Sequence, residues 1–232
     1  KKEGKKSYRI SRVVLFVVGA VDLLLMLFAF YAFPPKISIS SANEFNRILH
    51  NTTTITINLE NDIDLVNIEW SETDTNAKIL GNGHSLHNLH FKDDESVALF
   101  GNFGGEINDL TINISGEYDN VSRFAGVVLN LNGSLNNVCV NGEISLSTNE
   151  NAVVGGMVAE AKGGSITASE VNNLQLNLTS SSNEKIGGFV GSAGEGFERI
   201  SESRASFQIS TNLMKNACLG GLIGENINAN IN

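Results

Sequence analysis

The stretch Gly188-Phe189-Val190-Gly191 decides the fold, because related glycine-led apolar phrases occur at four other places in the 232-residue chain. The copies are spaced by about 28, 30, 32 and 33 residues, and a unit of that length cannot bury its own apolar face. Each copy therefore has to stack on the next, which predicts a repeat protein. The other four phrases are Ala98-Leu99-Phe100-Gly101, Gly126-Val127-Val128, Gly156-Met157-Val158 and Gly221-Leu222-Ile223-Gly224.

The intervals between the phrases have the pattern of β-strands. Leu110-Thr-Ile-Asn-Ile-Ser115 and Leu174-Gln-Leu-Asn-Leu-Thr179 both alternate apolar with small polar residues, which is typical of half-buried strands. Pairs such as Gly104-Gly105 and Asn132-Gly133 separate the strands and tolerate the backbone angles of tight corners.

These strands and corners predict an all-β protein, a right-handed parallel β-helix in which each unit forms one coil. A β-propeller is excluded because its blade needs about 40 to 45 residues. An ordinary β-sandwich stays open as the alternative, although it gives no reason for the phrase to recur. Five glycines define the predicted repeat: Gly101, Gly126, Gly156, Gly188 and Gly221.

The repeat phrase, Gly-Gly-x-Val/Ile-Gly followed by an apolar strand, resembles the GLUG repeat of bacterial surface proteins. Leu59-Glu-Asn-Asp-Ile-Asp-Leu65, Ile79-Leu-Gly-Asn-Gly-His84 and Ala98-Leu-Phe-Gly101 look like the opening coils of such a β-helix. The resemblance covers residues 37–232. It implies a parallel β-helix found in adhesins and beside catalytic domains. Phe197-Glu-Arg-Ile-Ser201 departs from the pattern, which predicts an irregular coil there.

An apolar run from Val13 to Phe33 predicts a membrane span, since about 20 residues cross a hydrocarbon core of about 30 Å. Six basic residues precede the run and only Lys36 follows closely. The positive-inside rule therefore predicts a cytoplasmic tail at 1–12, a transmembrane signal anchor at 13–33 and an extracellular remainder at the plasma membrane. A cleaved signal peptide is the alternative, but it would have a shorter apolar core and small residues at its end.

Asp22 lies near the middle of the predicted span. A carboxylate at that depth costs about 2.5 to 3.5 kcal/mol on insertion scales. Two interpretations stay open: an intramembrane contact between Asp22 and a partner helix, or a protonated carboxyl group that its apolar neighbours carry into the membrane.

Beyond the span, 10 basic and 23 acidic residues leave a net charge of −13. Binding to nucleic acid or to anionic lipid requires clustered Lys and Arg side chains, so this balance argues against both. No nucleic-acid partner is predicted.

Three further segments complete the predicted organisation. Residues 34–40 are expected to form a linker. Ser41-Ala-Asn-Glu44 matches a capping box and predicts a short helix at 41–50, which would cover the open end of the first coil. The β-helix then occupies 51–232. Both ends of the sequence are expected to be cut, because it lacks an initial Met and stops within its fifth unit.

Candidate chemistry is sparse, and we predict no catalytic, cofactor-binding or metal-binding residue. His84, His87 and His90 invite a metal interpretation, but in an extended strand His87 would point away from the other two. Asp93-Asp94-Glu95 could bind calcium or act in acid–base pairs, but a solvated loop is the better explanation. Cys139 and Cys218 lie units apart and are not expected to pair.

Two functional hypotheses follow. The first is an anchored extracellular β-helix that serves as an adhesive or interaction surface, or as a stalk, with a protein or glycan ligand. The second is a membrane-proximal spacer of a larger surface enzyme such as a metallopeptidase, and a polysaccharide-active β-helix is a weaker third. Glycosylation acceptor triplets begin at Asn51, Asn113, Asn120, Asn132 and Asn177 and do not separate these hypotheses.

Overall fold

The computed structural model describes residues 12–32, 36–51, 54–92, 95–179, 181–211 and 215–229. The chain forms two compact units, residues 1–35 and residues 36–232. The predicted basic tail, except for Arg12, lies outside the described residues, as do Pro34 and Pro35.

The first unit contains one helix, α1 (Arg12–Ala32). Its described side chains, at residues 16–26 and 28, are exposed. Among the residues that the structure describes, no helix combines the length and apolar character needed to cross a membrane. The predicted span at 13–33 is therefore not supported by the structure.

The described residues of the second unit form one helix and 21 strands, which are named here in chain order. The strands are short except for two long, bent ones, β10 and β12. The elements are β1 (Lys36–Ile39), α2 (Ala42–Asn51), β2 (Thr56–Leu59), β3 (Ile63–Asp64), β4 (Glu69–Trp70), β5 (Thr73–Thr75), β6 (Lys78–Leu80), β7 (Ser85–Phe91), β8 (Ser96–Val97), β9 (Phe100–Phe103), β10 (Glu106–Ala125), β11 (Val128–Leu131), β12 (Ser134–Gly155), β13 (Val158–Ala161), β14 (Gly164–Thr167), β15 (Glu170–Thr179), β16 (Lys185–Gly187), β17 (Val190–Ala193), β18 (Phe197–Ser201), β19 (Arg204–Thr211), β20 (Cys218–Gly220) and β21 (Ile223–Asn226).

The strands stack in parallel register as a β-solenoid of about five turns, which confirms the predicted repeat architecture. Four stacks of strands run along the solenoid. The long strands β10 and β12 run through three of the stacks, with their starts in the first, their middles in the second and their ends in the third. The first stack also contains β1, β2, β6, β14 and β18, the second also contains β3, β7, β15 and β19, and the third also contains β8, β16 and β20. The fourth stack consists of β5, β9, β11, β13, β17 and β21. Strand pairing is the same for either hand of coil, so the right-handed coil stays a prediction.

The core consists of rows of equivalent apolar side chains, one from each turn. In the first stack, Ile57, Ile79 and Ile107 align with Leu135 and Ile166, and all five are fully buried. Burying each such side chain stabilises the fold by about 1.5–3 kcal/mol. Since each row continues only if the next turn is present, the turns stabilise one another.

Helix α2 covers the start of the core, as the sequence predicts. Its apolar face buries Phe45, Ile48 and Leu49, and the Phe45 ring lies 5.4 Å from that of Trp70 in the first turn. The Glu44 N–H donates to Ser41 Oγ at 3.4 Å, and the Ser40 N–H donates to Glu44 Oε2 at 3.3 Å. Ser41 thus caps the helix. The reciprocal hydrogen bond of the predicted capping box, which Glu44 accepts, comes from the N–H of Ser40 rather than from that of Ser41.

The predicted linker at 34–40 is wrong over residues 36–39, which form β1. This strand pairs in parallel with β2 over its whole length, Lys36 aligning with Thr56 and Ile39 with Leu59. The alternation of Lys36-Ile-Ser-Ile39 already carries the strand pattern, and Ile39 is fully buried. The solenoid therefore begins ahead of α2.

The glycine that opens each phrase lies where successive turns approach most closely. A Cβ at Gly126 would lie 2.5 Å from the carbonyl oxygen of Gly156, and Gly156 and Gly188 stand in the same relation to the glycine of the following turn. Gly101 does not belong to this row, because Phe100 pairs with Val128 and so places Gly101 opposite Leu129.

Asparagine residues occupy many of the corners. Asn82, Asn137, Asn120 and Asn151 all have positive φ angles, between 52° and 62°, a conformation that Asn adopts more readily than most residues. The predicted irregularity at Phe197–Ser201 is confirmed, since β18 pairs with β14 through a register shift between Gly164 and Ser165.

Candidate binding face and groove

The second stack presents a polar surface that crosses the turns of the solenoid. Because side chains alternate along a strand, every second residue of β7, β10, β12, β15 and β19 points outward. Parallel register then aligns these residues into rows that cross the turns, and we call them together the polar face. One row consists of Ser85, Thr111, Cys139, Glu170 and Arg204, and another of Glu117, Ser145, Asn177 and Ser210.

Where the strands enter the second stack, side chains of the polar face form hydrogen bonds and ion pairs with one another. Asn141 Nδ2 donates to Asn113 Oδ1 at 3.1 Å, and Asn113 Nδ2 lies 3.0 Å from His87 Nδ1. Arg204 forms an ion pair with Glu170, which raises the pKa of the guanidinium group. The amide and charged groups of this part are thus engaged within the protein, whereas the hydroxyl groups of Ser85 and Thr111 make no side-chain hydrogen bond among the described residues.

Cys139 belongs to this bonded part and is a poor nucleophile. Burial raises the pKa of its thiol, and the neighbouring Glu170 carboxylate raises it further. The thiolate is the reactive form, so a raised pKa lowers reactivity. Cys139 is half-buried, Cys218 is exposed and both are free, which confirms the prediction that they do not pair.

Toward the strand ends, the polar face opens into a shallow groove of about 630 Å³ that crosses successive turns. Its only charged lining groups among the described residues are the carboxylates of Glu117 and Asp119. Ser145, Ser147 and Ser210 add hydroxyl groups that make no side-chain hydrogen bond within the described part of the chain. The groove is lined by residues 117–119, 145–147, 177–179 and 209–211.

Of the apolar residues that line the groove, Ile209 is partly buried and the other three belong to the buried core. Tyr118, Leu146 and Leu178 are exposed by only 5%, 2% and 4%. The Tyr118 ring packs edge-on against Phe91 at 5.8 Å, and its hydroxyl oxygen accepts a hydrogen bond from the Phe91 N–H at 3.2 Å. A ligand in the groove therefore meets polar groups rather than an apolar pocket.

Two of the three histidines come together in the first turns, contrary to the prediction from strand alternation. His84 Nδ1 lies 3.4 Å from Asp62 Oδ1, and His87 Nε2 lies 3.8 Å from Asp62 Oδ2. His84 precedes β7 at a corner, and Asn88 has a positive φ of 54°, so the simple alternation does not hold. The pKa of Asp62 is lowered, chiefly by the Ser85 N–H donating to it at 2.8 Å and then by His84.

His90 lies apart from this pair and lines a separate cavity with Val66, Asn88 and Ser115. Within the described ranges, no three His, Cys, Asp or Glu side chains are grouped so as to hold a metal ion. Asp93 and Asp94 lie outside the described residues.

The fourth stack presents a second polar row, which internal contacts occupy. Asn102 donates through its backbone N–H and its side chain to the two carboxylate oxygens of Asp74, at 2.6 and 2.9 Å. Lys185 Nζ lies 2.6 Å from Glu225 Oε2, to which Ser192 Oγ also donates at 3.3 Å. These groups tie neighbouring turns together and leave less capacity for a ligand than the groove does.

With this geometry in hand, the chain can be compared with known proteins. No family model matches it, and no curated protein or solved structure is significantly similar to it. The resemblance to the GLUG repeat therefore stays a prediction, carried by the phrases alone.

Sequence reasoning predicted a long binding side but missed the groove. Its position depends on which outward residues of successive turns align, and corner lengths set that alignment. The turn between the first-stack positions Lys78 and Glu106 has 28 residues, whereas the position that follows Ser165 is Arg199, 34 residues later. The alternating pattern was visible, but the register between turns was not.

Proposed function

We propose that this protein is a membrane-anchored extracellular β-solenoid whose polar face serves as an interaction surface. The observation that carries the proposal is the groove half of the polar face, where the hydroxyl groups of Ser145, Ser147 and Ser210 make no side-chain hydrogen bond with any residue that the structure describes. A long regular face with available hydroxyl groups suits an extended ligand.

Adhesion of beads coated with the full chain tests this function. Beads would be exposed to surfaces carrying immobilised proteins or glycans, with the double variant Ser145→Arg/Asn177→Arg obstructing the groove. The matched control, Ser165→Arg/Asn136→Arg, places the same bulk on the first stack. We expect the groove variant to reduce adhesion at least fivefold while the control retains it. Equal adhesion by both variants, or none by the wild type, would contradict the proposal.

The anchor is supported by the sequence. The run from Val13 to Phe33 is apolar apart from Asp22, and six basic residues precede it. Asp22 is a candidate for contact with a partner transmembrane helix, which would satisfy its carboxyl group within the bilayer.

Alkaline carbonate extraction of membranes tests the anchor. An inserted chain stays in the pellet, and the double variant Val17→Arg/Leu24→Arg should release it, because each Arg costs about 2.5 to 3.5 kcal/mol near the centre of a span. Val66→Arg, at an exposed apolar position of the solenoid, is the control and should remain in the pellet. Release of the full-length wild-type chain into the supernatant would overturn the anchor.

The spacer hypothesis is the second candidate, and the regular stacking of the turns favours it. About five turns at about 4.8 Å each give a rod of about 24 Å, which could hold another domain away from a membrane. The complete coding sequence distinguishes the two functions. A catalytic motif such as His-Glu-x-x-His in the same polypeptide supports the spacer, whereas further glycine-led repeats support the interaction surface.

A further inference from the structure

We infer that the groove half of the polar face binds a neutral, hydroxyl-rich glycan chain. This inference rests on the proposed function and names the ligand class of the same surface. It depends on three properties of the groove: its unused hydrogen-bonding groups, its charge and its lack of exposed apolar area.

The first property is the hydrogen-bonding capacity that the groove leaves available. Asn113, Asn141 and His87 near the strand starts satisfy one another. In the groove, Asn177 Nδ2 donates to Glu143 Oε1 at 3.3 Å, but the hydroxyls of Ser145 and Ser210 have no side-chain partner within the described residues. A ligand that both donates and accepts hydrogen bonds fits these groups, since a hydroxyl does both.

The spacing of these groups favours a polymer over a single small molecule. Glu117, Ser145, Asn177 and Ser210 align in one row, one residue from each turn. Strands of neighbouring turns lie about 4.7–4.9 Å apart, so polar groups recur at that interval across the groove. A chain of linked sugars carries hydroxyl groups at regular intervals and can use several turns at once.

The second property is charge, which excludes acidic polymers. The charged lining groups, Glu117 and Asp119, are both negative, and no Lys or Arg of the described part of the chain lines the groove. A uronate or sulfated chain would bring like charges close together without a compensating cation, which is unfavourable. A neutral glycan avoids this repulsion, and the carboxylates can accept hydrogen bonds from its hydroxyl groups.

The third property separates a glycan from a protein partner. Stable protein interfaces rely on buried aromatic or large aliphatic anchors. The core side chains beneath the groove, Tyr118, Leu146 and Leu178, are at most 5% exposed and cannot serve as anchors. An open polar groove binds weakly, so we expect dissociation constants on the order of 0.1–1 mM for a hexasaccharide.

Titration calorimetry on the detergent-solubilised full chain tests the inference with three probes: cellohexaose, laminarihexaose and hexagalacturonate. We expect saturable binding of at least one neutral hexasaccharide and at least tenfold weaker binding of the acidic one. The variant Ser145→Ala/Asn177→Ala should weaken neutral binding about tenfold, because two hydrogen bonds are lost. The control Ser165→Ala/Asn136→Ala removes the same groups from the first stack and should bind as the wild type does.

A charge reversal supplies an independent readout. Glu117→Lys/Asp119→Lys should gain binding to hexagalacturonate while leaving the hydroxyl and amide groups of the groove in place.

The inference would be overturned if neither cellohexaose nor laminarihexaose bound saturably. It would also be overturned if the groove variant and the control variant weakened binding of the neutral hexasaccharide equally. The proposed interaction surface would still stand if beads adhered to protein-coated surfaces in a groove-dependent way. Both would fall if no adhesion depended on the groove.

Discussion

At the scale of single residues, the glycines of the repeated phrase are set by the distance between turns. Gly156 lies beneath the carbonyl oxygen of Gly188 and beside the Val171 side chain, whereas a Cβ at Gly221 would meet no atom within 4 Å. The same position of the same phrase is therefore crowded in one turn and open in another. Substitutions at Gly156 and Gly221 therefore distinguish a packing requirement for glycine from a general preference for glycine at this position of the phrase.

We predict that Gly156→Ala destabilises the solenoid by about 1–3 kcal/mol, because overpacking a filled site forces the backbone to shift. Gly221→Ala should stay within about 0.5 kcal/mol of the wild type. Urea unfolding followed by circular dichroism measures both. Equal effects of the two substitutions would show that turn spacing is not what selects glycine.

Asp62 gives a second prediction at this scale, through pH. Its pKa lies below the ordinary value of 3.8 because the Ser85 N–H and the His84 side chain stabilise the carboxylate. A lowered pKa contributes stability that is present above pH 3.8 and is lost as the pH falls through the lower folded value. Asp62→Asn should therefore be less stable than the wild type at pH 5 to 6.

The stability difference between Asp62→Asn and the wild type should narrow below pH 3.8. Thermal unfolding midpoints measured from pH 2.5 to 6 follow that difference, and Glu60→Gln, at an exposed neighbouring carboxylate, serves as the control. A difference that stays constant over this range would mean that Asp62 acts through its shape rather than its charge.

At the scale of elements, helix α2 acts as the lid of the first turn. Trp70, the single tryptophan of the chain, is fully buried between Phe45 at 5.4 Å and His50 at 5.0 Å. Its indole N–H donates to the Leu99 carbonyl oxygen at 2.7 Å, which links the lid to the next turn. Trp70 therefore reports on the docking of the helix.

We predict that Phe45→Ala lowers the free energy of unfolding by about 3–5 kcal/mol, the usual cost of truncating a buried phenylalanine. It should also shift the fluorescence of Trp70 to the red, as water reaches the indole. Arg47→Ala, on the exposed side of α2, should change neither quantity. An unshifted Trp70 spectrum in Phe45→Ala would show that α2 does not shield the first turn.

Some of these elements follow from sequence and others do not. Local patterns were sufficient for α2, since Phe45, Ile48 and Leu49 share a helical face, and for the strands of the repeated units. The β1 strand was missed because its four residues lie next to two prolines and gain stability only from pairing with β2. The meeting of His84 and His87 at Asp62 was missed because it depends on backbone angles at corners, which periodicity does not encode.

At the scale of the whole molecule, the first and the last described turns of the solenoid differ. The first turn is covered by α2, whereas β18, β19, β20 and β21 in the last turn each pair on one side only among the described residues. Leu219 and Leu222 are 56% and 46% exposed there, although equivalent side chains in earlier turns are buried. Unpaired edges beside exposed apolar side chains favour association.

The last described turn carries no net charge, so electrostatic repulsion between copies opposes such association least there. Residues 197–229 contain three basic and three acidic residues, so this turn is neutral, whereas the whole chain has a net charge of −9. Like copies repel one another least at this end. We therefore predict concentration-dependent self-association of the full chain in detergent, detected by sedimentation velocity.

Leu219→Lys should move the onset of that association to roughly tenfold higher concentration, because it adds charge and removes a side chain whose burial contributes about 1.5–3 kcal/mol. Val66→Lys makes the same change at a residue that is 59% exposed near the first turn, and it should leave the onset unchanged. If both substitutions moved the onset equally, association would follow from overall charge. If neither substitution moved the onset, the last described turn would not be the contact surface.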